Sequence, residues 1–311
     1  MARSFETTDF EEFDAVVAHW NLRTSFLDRG PFRGGGRQIG TAQAAISYGW
    51  FRGAVRQQGD PPEGMRTLLL TARPGQHFHW RGALVSDRDL VVHPDGGEVD
   101  GHTSSCLDVL TISLHPDTLQ RVAESAQLDL AGSALGHDGT VRVGPSALQR
   151  LRRAALSAVN EGARDPSALA RPHLQQELVE SIPERVLEAL GDSTCVERRN
   201  RRTELFLAAV RLLERSGNEP RGVAELSAVL GTSERTLRRA FVEHCDVSPQ
   251  RYDLRRRLHR VRRELLRRPQ TGVTDVANDH GFWHMGDFAS HYLSAFGERP
   301  SETRDRAMRR R

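Results

Sequence analysis

The 311-residue chain contains no lysine, so all 44 of its basic residues are arginines. Such usage is most simply the mark of a GC-rich genome, and it gives every cationic site a planar, permanently charged fork of donors. Cysteine is scarce. Cys106, Cys195 and Cys245 stand far apart, without the paired spacing of a zinc site, and read as reduced thiols in a cytosol. No apolar run is long enough to span a membrane, and the opening Met1-Ala-Arg-Ser-Phe-Glu-Thr-Thr-Asp9 lacks the apolar centre of a signal peptide. The expectation is a cytoplasmic protein with no membrane partner. Serines, histidines and carboxylates are plentiful but form no recognisable nucleophile motif, so neither an enzyme nor a cofactor is expected.

What is present is unevenly spread. Residues 221–311 hold 19 arginines against 12 carboxylates, a net of +7; with +3 for the whole chain, residues 1–220 carry −4. A basic field confined to one end suits a polyanionic partner. The length also exceeds one small module and points to two domains.

The basic end contains two helix-turn-helix patterns, Val223–Cys245 and Val273–Phe296. In the first, Val223, Leu226, Val229 and Leu230 form one face of a short helix, and Gly231 makes the turn. Ser233 stands where an N-cap is needed, and Leu237 and Phe241 point inward in the next helix. Arg235, Arg238 and Arg239 are left outside, where guanidinium groups can meet base edges and phosphates. In the second, Val273, Val276 and Ala277 precede the turn Gly281-Phe282, and Phe288, Tyr292 and Phe296 repeat every four residues. His284, Met285, Gly286, Asp287 and Ser290 remain free to face a groove, with Asp287 expected to cap its own helix. Between the two, Leu254, Leu258, Val261 and Leu265 form an amphipathic stripe. Eight arginines, Arg257 among them, occupy the other faces up to Pro269, and phosphate contact is expected of some.

These marks occur in order with Val247-Ser248-Pro249-Gln-Arg-Tyr252, Arg257-Leu258 and Phe296-Gly297-Glu-Arg-Pro300-Ser301. Together, residues 201–306 resemble the DNA-binding domain of the AraC/XylS family of bacterial transcription regulators. The resemblance covers about a third of the chain and implies double-stranded promoter DNA as partner, with RNA polymerase downstream. It places base-reading positions on Arg235, Arg238 and Arg239, with Ser233 and Thr236 beside them, and on His284, Met285, Gly286 and Ser290. The family often carries a basic residue at the position of Ser290 and a lysine at that of Leu293, so the second reading head here is the less cationic.

Upstream the texture differs. Ala44–Phe51, Arg66–Thr71, Asp89–His93 and Leu107–Leu114 are expected strands, separated by turns such as Arg73-Pro-Gly75 and His93-Pro-Asp-Gly-Gly97. The run Gly34-Gly-Gly36 is expected to be a mobile turn rather than a phosphate loop. Helices are expected over 116–127, 146–161 and 171–191, the last with Leu174, Leu178, Ile182, Val186 and Leu190 along one face. A barrel followed by a helix pair resembles the cupin-like effector-binding domain of many members of the family. His77-Phe-His79 lies on one strand face but lacks the following glutamate of a metal-binding cupin, so no metal is expected. His77, His79 and Trp80 are kept as candidate effector contacts, with core packing as the plainer role of Trp20, Trp50 and Trp80.

The expected fold is α+β. A cupin-like β-barrel (about 1–115) and a helix pair (116–191) form an effector-binding and dimerisation domain. A linker at 192–200 leads to an all-α DNA-binding domain at 201–311. The expected function is a homodimeric, sequence-specific regulator responding to a small-molecule effector. The alternative is a DNA-binding regulator whose N-terminal domain only dimerises or binds a protein.

Overall fold

The structure, a computed structural model, describes the chain apart from residues 17–19, 29–31, 94–98, 104–105, 129–133, 137, 192, 197–200, 218–220 and 310–311. Residues 94–97 of an expected turn, 192 and 197–200 of the expected linker, and the last two arginines lie outside the described residues. The strands are β1 (Ala2–Thr7), β2 (Arg23–Phe26), β3 (Gly34–Gly40), β4 (Ala44–Phe51), β5 (Val55–Gly59), β6 (Arg66–Thr71), β7 (His77–Trp80), β8 (Ala83–Ser86), β9 (Asp89–His93), β10 (Val99–His102), β11 (Leu107–Leu114), β12 (Gly139–Arg142) and β13 (Thr194–Cys195). The helices are α1 (Phe10–Val16), α2 (Pro116–Ala126), α3 (Pro145–Arg164), α4 (Pro172–Gln176), α5 (Ile182–Gly191), α6 (Arg201–Arg215), α7 (Val223–Val229), α8 (Glu234–Cys245), α9 (Pro249–Arg267), α10 (Val273–Asp279), α11 (Met285–Phe296) and α12 (Pro300–Arg309).

Two antiparallel sheets face each other in a cupin-like arrangement. The larger runs β1-β3-β4-β11-β6-β9-β12-β13 and the smaller β2-β5-β10-β7-β8. The pleat sends Phe51, Leu69, Val91 and Leu107 of the large sheet inward to meet Val55, Phe78, Trp80 and Val99 of the small one. The alternate residues Ile39, Ile46, Leu68, Leu70, Leu110 and Ile112 point the other way, onto helices. Both faces of the large sheet are therefore buried, which is why its strands read as apolar runs instead of clean alternation.

Two expectations are corrected here. Gly34-Gly-Gly36 is no turn; it lies within β3, paired to β1 and β4. A Cβ on Gly35 would stand 2.6 Å from the Phe5 carbonyl oxygen and 2.9 Å from the Trp50 ring, so glycine lets neighbouring chains close over the strand. The second correction concerns assembly. Leu174, Leu178, Ile182, Val186 and Leu190 are all buried in the core between α2, α3, α5 and the outer face of the large sheet. That stripe covers the barrel and is not available to pair with a second copy.

The C-terminal helices form two small cores. α6, α7 and α8 pack around Phe206, Leu226, Leu237 and Phe241, and α9 to α11 around Leu258, Val276, Phe288 and Tyr292. The first core docks on the outer face of the small sheet. Arg56 of β5 is 5% exposed; its Nε and Nη2 donate to Asp100 at 3.1 Å, while Nη1 reaches Glu214 of α6 at 2.6 Å and the Tyr252 hydroxyl of α9 at 2.7 Å. The His79 ring lies 4.6 Å from that of His244, which stacks on Phe206 at 4.7 Å. His259 Nε2 sits 3.0 Å from both the nitrogen and the oxygen of Phe26 in β2.

α9 is consequently enclosed along much of its length, and four of the eight arginines expected on its outer faces, Arg257 among them, are turned inward. Arg255, Arg256, Arg257 and Arg262 are all buried. Arg256 and Arg257 share Asp253, and Arg262 meets Asp9, Glu11 and Glu298. Arg251 pairs with Asp28 at 3.3 Å. Part of the basic excess of the C-terminal segment is thus spent on the acidic N-terminal one.

Two outcomes follow from this packing. Leu178→Ala is expected to cost ~2–5 kcal/mol of stability by opening a cavity, read as a lowered denaturation midpoint. A loss of self-association at unchanged stability would return α4–α5 to the role of a dimer face. The second concerns acid. Burial, with His244 and His77 nearby, pushes the His79 imidazole down to about 3, so its contribution to stability is whole above an unfolded value of about 6.5 and is lost as pH falls below it. Glu11, pushed up to about 7 by burial, has the opposite sign and strengthens the fold on acidification. The slopes must therefore be compared: between about pH 7 and pH 5 the Tm of the wild type should fall more than that of His79→Asn. Equal slopes would remove His79 from the acid response.

Candidate nucleic-acid interface and barrel cavity

The first reading head is built as its residue pattern requires. Gly231 turns the chain at φ 59°, and the Ser233 side chain accepts from the Thr236 N–H at 3.1 Å, opening α8. α8 buries Leu237, Ala240 and Phe241, which leaves Ser233, Arg235, Thr236 and Arg239 exposed. Its three arginines are not equivalent. Arg235 and Arg239 have no hydrogen bond or ion pair among the described residues, whereas Arg238 lies 2.5 Å from Glu234 one turn earlier. An exposed pair of this kind is worth little, so a phosphate can displace Glu234 at small cost.

The second head turns at Gly281, φ 75°, and α11 buries Phe288, Tyr292 and Ala295. His284, Gly286 and Ser290 are exposed, while Met285 is half-buried against the core of α9 to α11. The expected capping by Asp287 does not occur: His284 holds the N-cap position and no side chain caps α11. Asp287 stays exposed in the first turn, where a carboxylate still favours the positive end of the helix.

Arg257 is 8% exposed and turned inward. It pairs with Asp253 at 3.0 Å, donates to the carbonyls of His280 and Gly281 at 3.3 Å, and stands 4.5 Å above the Phe282 ring. Its guanidinium shapes the turn before α11 and does not face outward as expected. Trp283 is not among the residues marked by the helix-turn-helix pattern. At 71% it is the most exposed of the large apolar side chains among the described residues. An aromatic next to the buried Phe282 and just ahead of a recognition helix was the available signal.

A cavity of about 90 Å³ lies between the two sheets. Its wall is mostly apolar and aromatic, including Phe13, Phe51, Leu69, Phe78, Trp80 and Val99, with Gln38, Gln57, Ser47, Thr103 and Thr111 among its polar members. Trp80 Nε1 and Gln38 Oε1 are buried without a hydrogen-bond partner. An unpaired buried donor or acceptor costs ~1–3 kcal/mol, and both residues are among those that line the cavity. Trp80 thus lines the cavity, but His77 and His79 do not. Alternation does put the two histidines on one face, and that face is the outer one, where His79 meets His244 and His77 is exposed.

The two features meet on the same strands. In β5, Val55 and Gln57 line the cavity while Arg56 points outward to α6 and α9. In β10, Val99 is directed to the cavity, and the outward His102 ring lies 5.1 Å from that of Phe206. No helix among the described residues is long and apolar enough to cross a membrane.

Comparison with known proteins bears on the helical segment. The helix-turn-helix domain family matches residues 226–306. The XylDLEGF operon transcriptional activator of Pseudomonas putida is 32% identical over 135 residues, covering 42% of each chain. The chain therefore spans well under half the length of that relative. Among solved structures, a probable AraC family transcriptional regulator from Rhodopseudomonas palustris is 33% identical, covering 33% of this chain and 97% of that one, with a TM-score of 0.31. The AraC-like transcriptional activator CuxR aligns over 82% of this chain and 94% of its own at 14% identity and a TM-score of 0.43. With its paired helix-turn-helix units in place, the chain belongs, through this C-terminal domain, to the AraC/XylS family.

Proposed function

We propose that the protein is a sequence-specific, DNA-binding transcriptional regulator whose helix-turn-helix domain is governed by a small molecule held in the barrel. The observation that carries the reading is the double use of β5 and β10. One face of each lines a cavity with unsatisfied polar groups, and the other holds α6 and α9, against which α8 packs to present Arg235 and Arg239. A filled barrel interior would have favoured the alternative of a merely structural N-terminal half; the cavity favours a ligand. Its chemistry calls for a compact, largely apolar guest with an acceptor for the Trp80 N–H and a donor for the Gln38 carbonyl.

On the DNA side, Ser233, Arg235, Thr236, Arg238 and Arg239 belong to the stricter head, and His284, Gly286 and Ser290 to the more tolerant one. Met285 supports the latter from its half-buried position. RNA polymerase is the partner such a regulator must ultimately reach. A homodimer would have to use a surface other than the α4–α5 stripe, which is buried within one chain.

Capture of sheared chromosomal DNA by the purified full chain, followed by footprinting, tests the reading. Discrete fragments should be enriched, and Arg239→Ala or Arg235→Ala should cost about 1–3 kcal/mol at the footprinted site while costing less on random DNA. Arg257→Ala should behave differently. Because it strips a buried partner from Asp253 and two carbonyls, it should lower thermal stability and weaken all sequences together. Recovery of random fragments only, or identical losses on cognate and random DNA for the α8 arginines, would overturn the reading.

A further inference from the structure

We infer that Trp283 is a DNA-contacting residue of the second reading head, with its indole laid against the sugar-phosphate edge of a duplex. This rests on the DNA-binding reading above. The first observation is exposure. Trp283, 71% exposed beside a core that buries Phe282, Phe288 and Tyr292, leaves most of its apolar surface without a partner among the described residues.

The second observation is that the segment carrying it is fixed. The Phe282 N–H donates to the Ala277 carbonyl at 3.0 Å, and the His284 carbonyl accepts from the Phe288 N–H at 2.9 Å. Arg257 holds the carbonyls of His280 and Gly281 and covers the Phe282 ring. Trp283 is therefore set out from a backbone pinned on both sides, so the main chain at this position loses little freedom on binding.

Position names the occupant. Trp283 directly precedes His284 and the first turn of α11, whose buried face is Phe288, Tyr292 and Ala295; the other face is the one free to enter a groove. The leading N–H groups of α11 have no side-chain cap and favour a phosphate close by. The indole offers one N–H donor, suited to a phosphate oxygen, and a broad apolar face, suited to deoxyribose or a thymine methyl. His284, Met285, Gly286 and Ser290 supply no fixed cation, so this head needs contact area where the first head uses arginine. Trp283 supplies it.

The test uses the full chain with a random-sequence duplex of about 40 base pairs at low salt, where backbone contacts dominate. The Trp283 signal is isolated by subtracting the fluorescence of Trp283→Phe, and its quenching by acrylamide is measured with and without duplex. Quenching of that component should fall severalfold on binding. Trp283→Ala should weaken the duplex about fivefold to tenfold, as befits one aromatic contact, with Trp283→Phe in between. Melting temperature and the slope of affinity against salt should stay unchanged, because the lost contact is apolar and releases no counterion. An indole equally quenchable in the complex, or wild-type affinity in Trp283→Ala, would overturn the inference. A Trp283→Ala chain that binds normally but fails to activate or repress would assign the indole to a protein partner instead. Failure of the wild type to bind any duplex would remove the DNA reading and this inference together.

Discussion

A single buried guanidinium sets the relation between the two halves of this molecule. Arg56 cannot shed its charge, and an arginine placed in a protein interior is tolerated only if its donors are met by acceptors and its charge by carboxylates. Asp100 from the neighbouring strand supplies one pair of bonds, and Glu214 and Tyr252 from the helical segment supply the rest. Without α6 and α9 in place, one side of the guanidinium would face no partner. The barrel thus carries a group that is complete only when the helix-turn-helix domain is docked. Around it the contacts are of a compatible kind: imidazoles in tilted or edge-on ring contact, with His79 and His102 held well below the usual histidine range by burial.

The same constraint explains the linker helix. α9 must pack against the cores of both reading heads, and its second half also touches β2, through His259, and the first helix of the barrel, through Arg262. A helix so enclosed would ordinarily be apolar all round. Here Arg256, Arg257 and Arg262 are neutralised in place, by Asp253 within the helix and by Asp9, Glu11 and Glu298 from outside it. The charge asymmetry between the two ends of the chain therefore serves two partners. The acidic N-terminal segment takes Arg251 and Arg262, and the exposed arginines of α8 remain for a polyanion. A guest that shifts β5 or β10 by a fraction of an ångström would act directly on Arg56 and the Phe206 contact, since packed interfaces transmit strain.

Much of the architecture was legible in the residue pattern. β4, β6, β9 and β11 fall on Ala44–Phe51, Arg66–Thr71, Asp89–His93 and Leu107–Leu114 as expected, because each carries a long apolar or alternating run. Both helix-turn-helix units were legible too, since their glycine turns and Ser233 cap are local chemistry. What escaped were features decided by tertiary partners. The triple glycine of β3 carries no side-chain pattern, and its role is visible only once Phe5 and Trp50 lie across it. The periodicity of α4–α5 shows that one face is buried but not against what, so barrel covering and dimerisation look alike. The arginines of α9 resemble a solvated face until Asp9 and Glu11 arrive from about 250 residues away. His77 and His79 were rightly placed on one strand face, but nothing local tells the inside of a sandwich from the outside.

Arg56 joins the cavity-bearing sheet to the helix-turn-helix domain. Hydrogen–deuterium exchange of the full chain, compared between wild type and Arg56→Met, measures this directly. Loss of the shared guanidinium should raise exchange together in β5, in α6 around Glu214 and in the first half of α9, while β4, β11 and α3 stay protected. Exchange that rises only in β5 and its strand neighbours, with α6 and α9 unchanged, would show that the two halves are held by other contacts and would contradict the account.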